Sequence, residues 1–226
     1  MKISIDKKLF TKYPKFTLGF ILAKNIENTN LESTKHLLNE IEILTKSVFN
    51  RNNIKSHLLI SPYKVMQAEF KGSKHFHTSV ERLLKKTLSK KSIQTNNSTI
   101  NIIKYISLKN IIPYGIDDYH KIKKELIFNL ATGKEKFSTL KKIKKGAIYY
   151  KDAKSTIATK LDYNKKSRTQ VKNHTVSALI HFDALPPITK PKLNAILKET
   201  KQLLEATTNC TAQIFILDKT KKQVKL

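Results

Sequence analysis

Two histidines that lie close together in the sequence are the residues of this chain most suited to binding a metal ion. His75-Phe76-His77 places two imidazoles two residues apart, so that in a strand both would face the same way, and a distant third ligand could complete a zinc site. No residue nearby supplies that ligand at a characteristic spacing, and the alternative is two exposed loop histidines. We therefore expect no metal ion and no other cofactor.

Three other segments carry groups that could react or bind. Asp117-Asp118 with His120 could form an acid–base cluster, but we favour a turn whose aspartate caps the next helical residues. Cys210 has no neighbouring base, which favours an inert thiol. Ser167-Arg168-Thr169 could contact phosphate or form a solvated loop. Since the five glycines are scattered, a glycine-rich phosphate cradle is excluded, and these motifs do not identify a reaction.

The charge of the chain indicates an anionic partner. Lysine and arginine number 44 against 17 acidic residues, which gives a net charge of +27, and all but Arg51, Arg82 and Arg168 are lysines. Such a charge attracts polyphosphates in a salt-sensitive way, and lysine meets phosphate as a point charge. An AT-rich genome could account for much of the lysine excess, but not for the shortage of acids. A membrane surface is the competing partner, but no strongly amphipathic helix with aromatic anchors is apparent.

Other classes of protein are excluded by what the sequence does not contain. No apolar run approaches the roughly 18–20 residues of a membrane span, and residues 1–8 lack the apolar stretch of a secretory signal. One cysteine excludes an internal disulfide framework and a thiolate-rich metal site. We expect a cytoplasmic protein.

Hydrophobic periodicity predicts the elements that must position these groups. The predicted helices cover residues 31–48, 61–70, 99–110 and 189–205, with a further helix behind a capping box at Thr78-Ser79-Val80-Glu81. The predicted strands cover residues 16–24, 126–131, 147–151, 156–161, 175–182 and 213–217. With most helices before most strands, and no long linker, the pattern favours one α+β domain over residues 1–226.

Seven segments occur in an order that resembles a known family. They are residues 15–23 (KFTLGFILA), 78–84 (TSVERLL), Asn97 with 105–109 (YISLK), 113–117 (PYGID), 147–152 (AIYYKD), Arg168-Thr169 and 214–218 (IFILD). In order and spacing they resemble the tRNA-editing module of the phenylalanyl-tRNA synthetase β subunit, its third and fourth B domains, and most of all its freestanding versions. The resemblance implies sandwich-like mixed sheets packed with helices, and a pocket between two halves.

The family resemblance also implies a function. The synthetase module hydrolyses tyrosine wrongly attached to the phenylalanine tRNA, so we expect a tRNA-binding protein that deacylates mischarged aminoacyl-tRNA in trans, without ligase activity. An aminoacyl ester is already activated, so a positioned water and oriented hydrogen bonds can suffice. The alternatives are a non-catalytic tRNA- or RNA-binding module of the same fold and a basic DNA-associated protein. We infer no membrane association and no obligate protein partner.

The resemblance assigns candidate site residues by motif position. Gly115, which stands where the family motif has a histidine, would bring backbone amides to the attacking water, or would only end the preceding helix. The candidate catalytic residues are Gly115, Asp117, Asp162 and His174. The candidate pocket residues are Tyr63, Asn97, Asn101, Tyr114 and Thr175. The candidate RNA-binding residues come instead from the charge pattern, and they are Arg82, Lys85, Lys86, Lys90, Lys141, Lys142, Lys144, Lys145, Lys165, Lys166 and Arg168.

Overall fold

The computed structural model describes residues 1–28, 30–50, 52–68 and 78–226 of the chain. The histidine pair at residues 75 and 77 therefore lies outside the described residues. None of the described helices is long and apolar enough to cross a membrane.

Six α-helices and ten strands make up the described residues. The helices are α1 (Lys7–Lys12), α2 (Leu31–Val48), α3 (Ser61–Ala68), α4 (Ser79–Leu88), α5 (Ser98–Asn110) and α6 (Lys190–Thr208). The strands are β1 (Lys2–Ile5), β2 (Thr17–Lys24), β3 (Tyr114–Asp118), β4 (Glu125–Leu130), β5 (Ile148–Lys151), β6 (Thr156–Thr159), β7 (Asn164–Lys165), β8 (Ser177–Ala184), β9 (Thr211–Leu217) and β10 (Gln223–Lys225).

The strands form two sheets, and the fold is the expected α+β class. One sheet has six strands in the order β10-β1-β4-β5-β6-β7, and the other has four in the order β3-β8-β2-β9. β1 and β4 are parallel, whereas all other neighbouring strands are antiparallel. Because strands from both ends of the chain enter each sheet, neither sheet is complete before the C-terminal segments are in place.

Strand β2 explains how the layers stack, because its alternate residues face opposite sides of the four-stranded sheet. Leu18, Phe20 and Leu22 pack in a core shared with the six-stranded sheet, where the ring of Phe20 meets that of Phe128 edge-on at 5.6 Å. Ile21 packs in a second core with residues of α5 and α6. The four-stranded sheet is thus the middle layer, between the six-stranded sheet and the helices.

Helix α4 begins with the predicted capping box. The Thr78 hydroxyl accepts from Glu81 N at 3.4 Å, and the Glu81 carboxylate accepts from Thr78 N at 3.0 Å, so that two backbone donors of the first turn are satisfied. Val80, Leu83 and Leu84 are buried, while Arg82, Lys85 and Lys86 are exposed. The cap and the apolar face therefore fix which side of α4 presents its cations.

Helix α5 ends differently from the sequence-based expectation. The helix ends at Asn110, and its C-cap is Ile111, whose φ of 47° is left-handed and whose backbone N–H bonds to Leu108 O and Ser107 O; Gly115 lies beyond it, within strand β3. The interpretation of Gly115 as the residue that ends the helix is therefore wrong. The sequence does not predict strands β1, β7 and β10 or helix α1, since none of them is longer than six residues.

We predict that Thr78→Ala lowers the free energy of unfolding by about 1–2 kcal/mol, because the first turn of α4 loses its side-chain acceptor. Thr78→Ser keeps the hydroxyl and should stay within about 0.5 kcal/mol of the wild type. Urea denaturation followed by circular dichroism measures both. Equal losses in the two variants would show that the methyl group, not the cap, is what matters.

Candidate functional site

A buried network of charged side chains joins the two sheets. Asp117 comes from β3 and His181 and Asp183 from β8, all in the four-stranded sheet, while Tyr150 on β5 and Lys165 on β7 come from the six-stranded sheet. Asp162 lies in the turn between β6 and β7 and completes the network.

Asp162 and Asp117 are the acceptors of the network. Asp162 Oδ1 accepts from the Tyr150 hydroxyl at 2.6 Å and from Lys165 Nζ at 3.1 Å. Asp117 accepts from the Thr169 hydroxyl at 2.5 Å and lies 3.0 Å from Lys165 Nζ. Lys165 Nζ also donates to Ile116 O at 2.6 Å, so the ammonium ties β3 to β7.

The turn that carries Asp162 has an unusual backbone. Lys160, Leu161 and Asp162 have φ values of 61°, 50° and 61°, all in the left-handed region. For residues other than glycine this conformation costs roughly 1–2 kcal/mol each. The contacts of the Asp162 carboxylate with Tyr150 and Lys165 hold the turn in place against that cost.

His181 lies between two carboxylates. Its Nε2 is 3.2 Å from Asp162 Oδ2 and its Nδ1 is 3.5 Å from Asp183 Oδ1, and the ring packs edge-on against that of Tyr150 at 5.2 Å between centroids. Burial lowers the pKa of His181, but Asp183 and Asp162 outweigh it and raise the pKa to about 10. At neutral pH the ring is therefore an imidazolium with a proton on each nitrogen.

The two aspartates differ in how well they are compensated. Burial favours the neutral form of Asp162, but Lys165 and His181 outweigh it and hold the pKa of Asp162 well below its usual value. Burial raises the pKa of Asp183, for which His181 is the main compensating charge. Asp162 is thus the firmly ionised member and Asp183 the weakly compensated one.

Asp162, His181 and Asp183 also form a group that could hold a metal ion, as judged by the spacing of their ligand atoms. The geometry suits protons better. The two carboxylates face different nitrogens of the imidazole, so an ion bound to one nitrogen would leave the other carboxylate without its partner. A protonated ring instead forms ion pairs with both carboxylates at once, at 3.2 and 3.5 Å.

Gly115 is the residue against which His181 packs. The two are paired across β3 and β8, and a Cβ at residue 115 would collide with His181 Nε2 and lie 2.6 Å from Asp162 Oδ2. The expectation that Gly115 faces an attacking water is therefore wrong, because His181 and Asp162 occupy that space. Glycine is required here for close approach rather than for a turn.

The other candidate catalytic and pocket residues fall into separate places. His174 is exposed in the loop before β8 and does not join the network. Tyr63 is buried and donates to Asp183 O at 2.6 Å. Asn97 caps α5 by accepting from Ile100 N at 2.9 Å, and Asn101 donates to Thr95 O at 2.9 Å. Thr175 donates to Asp118 Oδ2 at 2.9 Å.

Two roles proposed from the sequence alone can also be placed. Asp118 caps the short 3₁₀ turn that follows it, accepting from His120 N at 3.1 Å, as the favoured interpretation of that segment requires. Cys210 is buried, and burial raises the pKa of its thiol, which suits an inert side chain.

The candidate RNA-binding residues divide into surface and internal groups. Those that are exposed are Arg82, Lys85, Lys86, Lys90, Lys141, Lys142, Lys144 and Lys145. Lys165, expected at the surface, is instead a member of the buried network. Arg168 pairs with Asp152 at 2.7 Å and donates to Lys121 O at 2.8 Å, and Lys166 lies over the ring of Phe137 at 5.6 Å. These last three side chains have internal partners.

Helix α4 and the loop at residues 141–145 are linked through the strained turn. Ser79 N donates to Leu161 O at 3.1 Å, and Arg82 donates to Tyr163 O at 2.9 Å, so the turn packs on α4. On the other side of the turn, burial lowers the pKa of Lys160, and the nearby charges of Lys141 and Lys144 lower it further.

Burial also lowers the pKa of Lys104 on α5, and the nearby charges of Lys86 and Arg82 lower it further. We call these six residues, Arg82, Lys86, Lys104, Lys141, Lys144 and Lys160, the positive strip.

Sequence reasoning missed His181 and Asp183, although a signal for them was present. They lie two residues apart on β8, so they share a face, and Leu179 on that face belongs to the core; the predicted strand, residues 175–182, includes His181 and stops one residue before Asp183. Two ionisable residues on the apolar face of a strand must find buried partners. Their further partner, Asp162, lies in a different sheet region and is distant along the chain, so the sequence pattern does not reveal it.

Comparisons with known proteins were made for the whole chain. A family model described as the B3/4 domain matches residues 64–209. A solved structure, a crystal structure of an N-terminal fragment of the phenylalanyl-tRNA synthetase β subunit from Pyrococcus horikoshii, is similar at 11% identity and a TM-score of 0.48. That similarity covers 93% of this chain and 49% of the archaeal one, so the chain spans about half the length of that relative. The comparison with curated protein sequences gave no match.

We predict that His181→Leu lowers the free energy of unfolding at pH 7 by about 3–5 kcal/mol, because two buried carboxylates lose their shared cation. The raised pKa of His181 stabilises the fold fully below pH 6.5, and this contribution is lost as the pH rises through about 10. Wild-type stability should therefore fall between pH 7 and 10, and the variant should fall less. Urea denaturation across that range is the measurement.

His174→Leu is the matched control, since that histidine is exposed, and it should keep the wild-type pH profile. If His181→Leu does not fold, ¹⁵N NMR of the wild-type imidazole replaces the comparison. A neutral His181 ring at pH 8 would contradict the assigned charge.

Proposed function

The chain belongs to the B3/4 domain family, and from this membership we propose that it binds tRNA through the positive strip. The observation that carries the proposal is the continuity of the strip, which runs from α4 across the turn at residues 160–163 to the loop at residues 141–145. We treat residues 1–226 as one binding domain, and we place it in the cytoplasm with tRNA as its partner.

The chemistry of the strip supports a backbone partner. Five of its six cations are lysines, which meet phosphate as point charges, whereas base-specific contacts favour arginine. Lysines held close together repel one another, and a polyanion relieves that repulsion while releasing its own counterions. The strip therefore suits the phosphate backbone of a folded RNA, read by shape rather than by sequence.

Binding without hydrolysis is the function that the geometry supports best. His181 and Asp162 fill the space in front of Gly115, and the His181 side chain is only 1% exposed, so neither water nor an ester can reach it. With its pKa raised to about 10, His181 is already protonated at neutral pH and cannot act as a general base.

Hydrolysis of mischarged tRNA is the second candidate, and one observation favours it. The imidazole of His181 occupies the space that a side chain at residue 115 would fill, where the family motif carries its histidine. An imidazole is thus present near that position, supplied by β8 instead of β3. Catalysis would require the network to open and expose it.

We predict that Lys86→Glu combined with Lys141→Glu weakens tRNA binding about tenfold or more at low salt, because one cation is reversed at each end of the strip. The slope of log affinity against log salt should fall by about one for each phosphate that the protein no longer neutralises. Filter binding at several salt concentrations measures both quantities.

The matched control is Lys222→Glu combined with Lys225→Glu, which makes the same change in net charge. Both residues lie near or on β10, at the edge of the six-stranded sheet opposite β7. The control should keep a slope near that of the wild type. If the control weakens binding as much as the strip variant does, net charge alone attracts RNA, and a stronger affinity for duplex DNA than for tRNA would favour the DNA-associated alternative.

We predict that the protein does not accelerate the deacylation of mischarged tRNAs above the rate without protein. The panel tested includes the phenylalanine tRNA charged with tyrosine. Release of labelled amino acid with time is the measurement. An acceleration that Lys222→Glu/Lys225→Glu retains and His181→Gln loses would overturn the binding-only proposal and establish the second candidate.

A further inference from the structure

A small cleft lies between α4, α5 and the start of β3, beside the buried network rather than within it. It has a volume of about 160 Å³, and the polar side chains that line it are Ser79, Arg82, Lys86, Lys104 and Tyr114. Pockets for drug-sized ligands measure roughly 300–1,000 Å³. This cleft therefore has room for a chemical group of a few atoms and is too small for an amino acid or a nucleobase.

The charge in the cleft is of one sign. Arg82 and Lys86 enter from α4 and Lys104 from α5, and no carboxylate lines the cleft. Within the part of the chain that the structure describes, none of these three cations forms an ion pair with an acidic side chain. Lys104 is partly buried beside the exposed cations Arg82 and Lys86, so its charge is costly there, and a bound anion would offset that cost.

Lys104 is the member held most firmly in place. Its Nζ donates to Ile93 O at 2.5 Å, which leaves two of the three ammonium protons for a ligand. Burial, then the charges of Lys86 and Arg82, lower the pKa of Lys104 to about 8. Lys104 therefore carries its charge at neutral pH at a cost that an anion in the cleft would offset.

Further hydrogen-bond donors complete the lining. Ser79 Oγ accepts from Tyr114 N at 2.8 Å, which leaves the Ser79 hydroxyl proton free to point toward a ligand. Arg82 uses one N–H on Tyr163 O and keeps the rest of its guanidinium fork. The lining therefore offers several donors and positive charges to a group made of acceptor oxygens.

We propose that this cleft, the Lys104 cleft, binds a single phosphate group. The inference deepens the proposed function, since in tRNA the group would be one backbone phosphate, but binding of phosphate by the cleft does not itself depend on RNA. The two sources share this chemistry and are separated by the experiment.

The experiment titrates the full chain with inorganic phosphate at constant ionic strength, followed by ¹H–¹⁵N NMR, and with tRNA by filter binding. In the wild type, phosphate should shift the amides near Ile93, Lys104 and Tyr114 in a saturable way. Lys104→Met should weaken phosphate binding at least tenfold, whereas Lys109→Met, on the same helix but paired with Glu199, should leave it unchanged. The melting temperature of Lys104→Met should not fall, because a buried charge is removed.

The pH dependence provides a second readout. The groups that face Lys104 are Arg82 and Lys86 on α4, the Ile93 carbonyl, which does not titrate, and Tyr114 on β3, which stays neutral because its pKa is raised to about 12. Because inorganic phosphate gains negative charge over the same pH range, the wild type is compared with Lys104→Arg at each pH. Relative to that variant, which keeps its charge, phosphate binding by the wild type should weaken from pH 7 to 9 as Lys104 loses its proton.

Each outcome decides between the proposals. Loss of phosphate binding in Lys104→Met without a change in tRNA affinity supports a cleft for free phosphate. Loss of tRNA affinity with a salt slope lower by about one supports a backbone phosphate. If Lys104→Met binds phosphate and tRNA as the wild type does, the phosphate site at the Lys104 cleft is overturned, but tRNA binding by the positive strip is not. If the wild type binds phosphate at the cleft but binds no tRNA, only the proposed function is overturned.

Discussion

The contact between His181 on β8 and Asp162 in the turn after β6 joins charges of opposite sign across the interface of the two sheets. Removing both from water is expensive, and an ion pair at this depth adds little net stability unless its remaining atoms are also satisfied. Asp162 meets that condition through Tyr150 and Lys165. The pair therefore specifies how the sheets are aligned more than it stabilises them.

Several local features follow from this one contact. Residue 115 must be glycine, since a Cβ there would occupy the space of the imidazole. The turn at residues 160–162 must be left-handed to bring Asp162 inward. The same turn presents Leu161 O to Ser79 N and Tyr163 O to Arg82, which fixes the start of α4. A buried ion pair thus determines where the cations of α4 lie on the surface.

Much of the framework could be predicted from the sequence because it depends on local patterns. The helix at residues 31–48, the strand at residues 16–24 and the capping box at Thr78 are confirmed, since periodicity and capping act over a few neighbours. The family resemblance, which rests on the order of seven segments, is confirmed by the B3/4 domain match.

The site could not be predicted in the same way, because its residues meet over long separations. A lysine in a basic loop is most often exposed, yet Lys165 is committed to Asp117 and Arg168 to Asp152, distant pairings that no local pattern reveals. The expectation that Gly115 faces an attacking water is wrong for a related reason. The motif marks the place of a functional side chain, but it does not show that a distant strand supplies His181 to the same space.

The lysine excess of this chain has two explanations, and the positions of the lysines help to separate them. A compositional bias explains how many lysines there are, but it is indifferent to where each one lies. A lysine on an exposed face costs little free energy of folding, so a single exposed position does not distinguish the two explanations. Lys104 differs, because burial and two adjacent cations oppose its charge and lower its pKa. An ionisable group held in a cleft at a cost to stability is typical of a binding site. The cleft, more than the net charge, is therefore the part of the basic surface that composition alone does not explain.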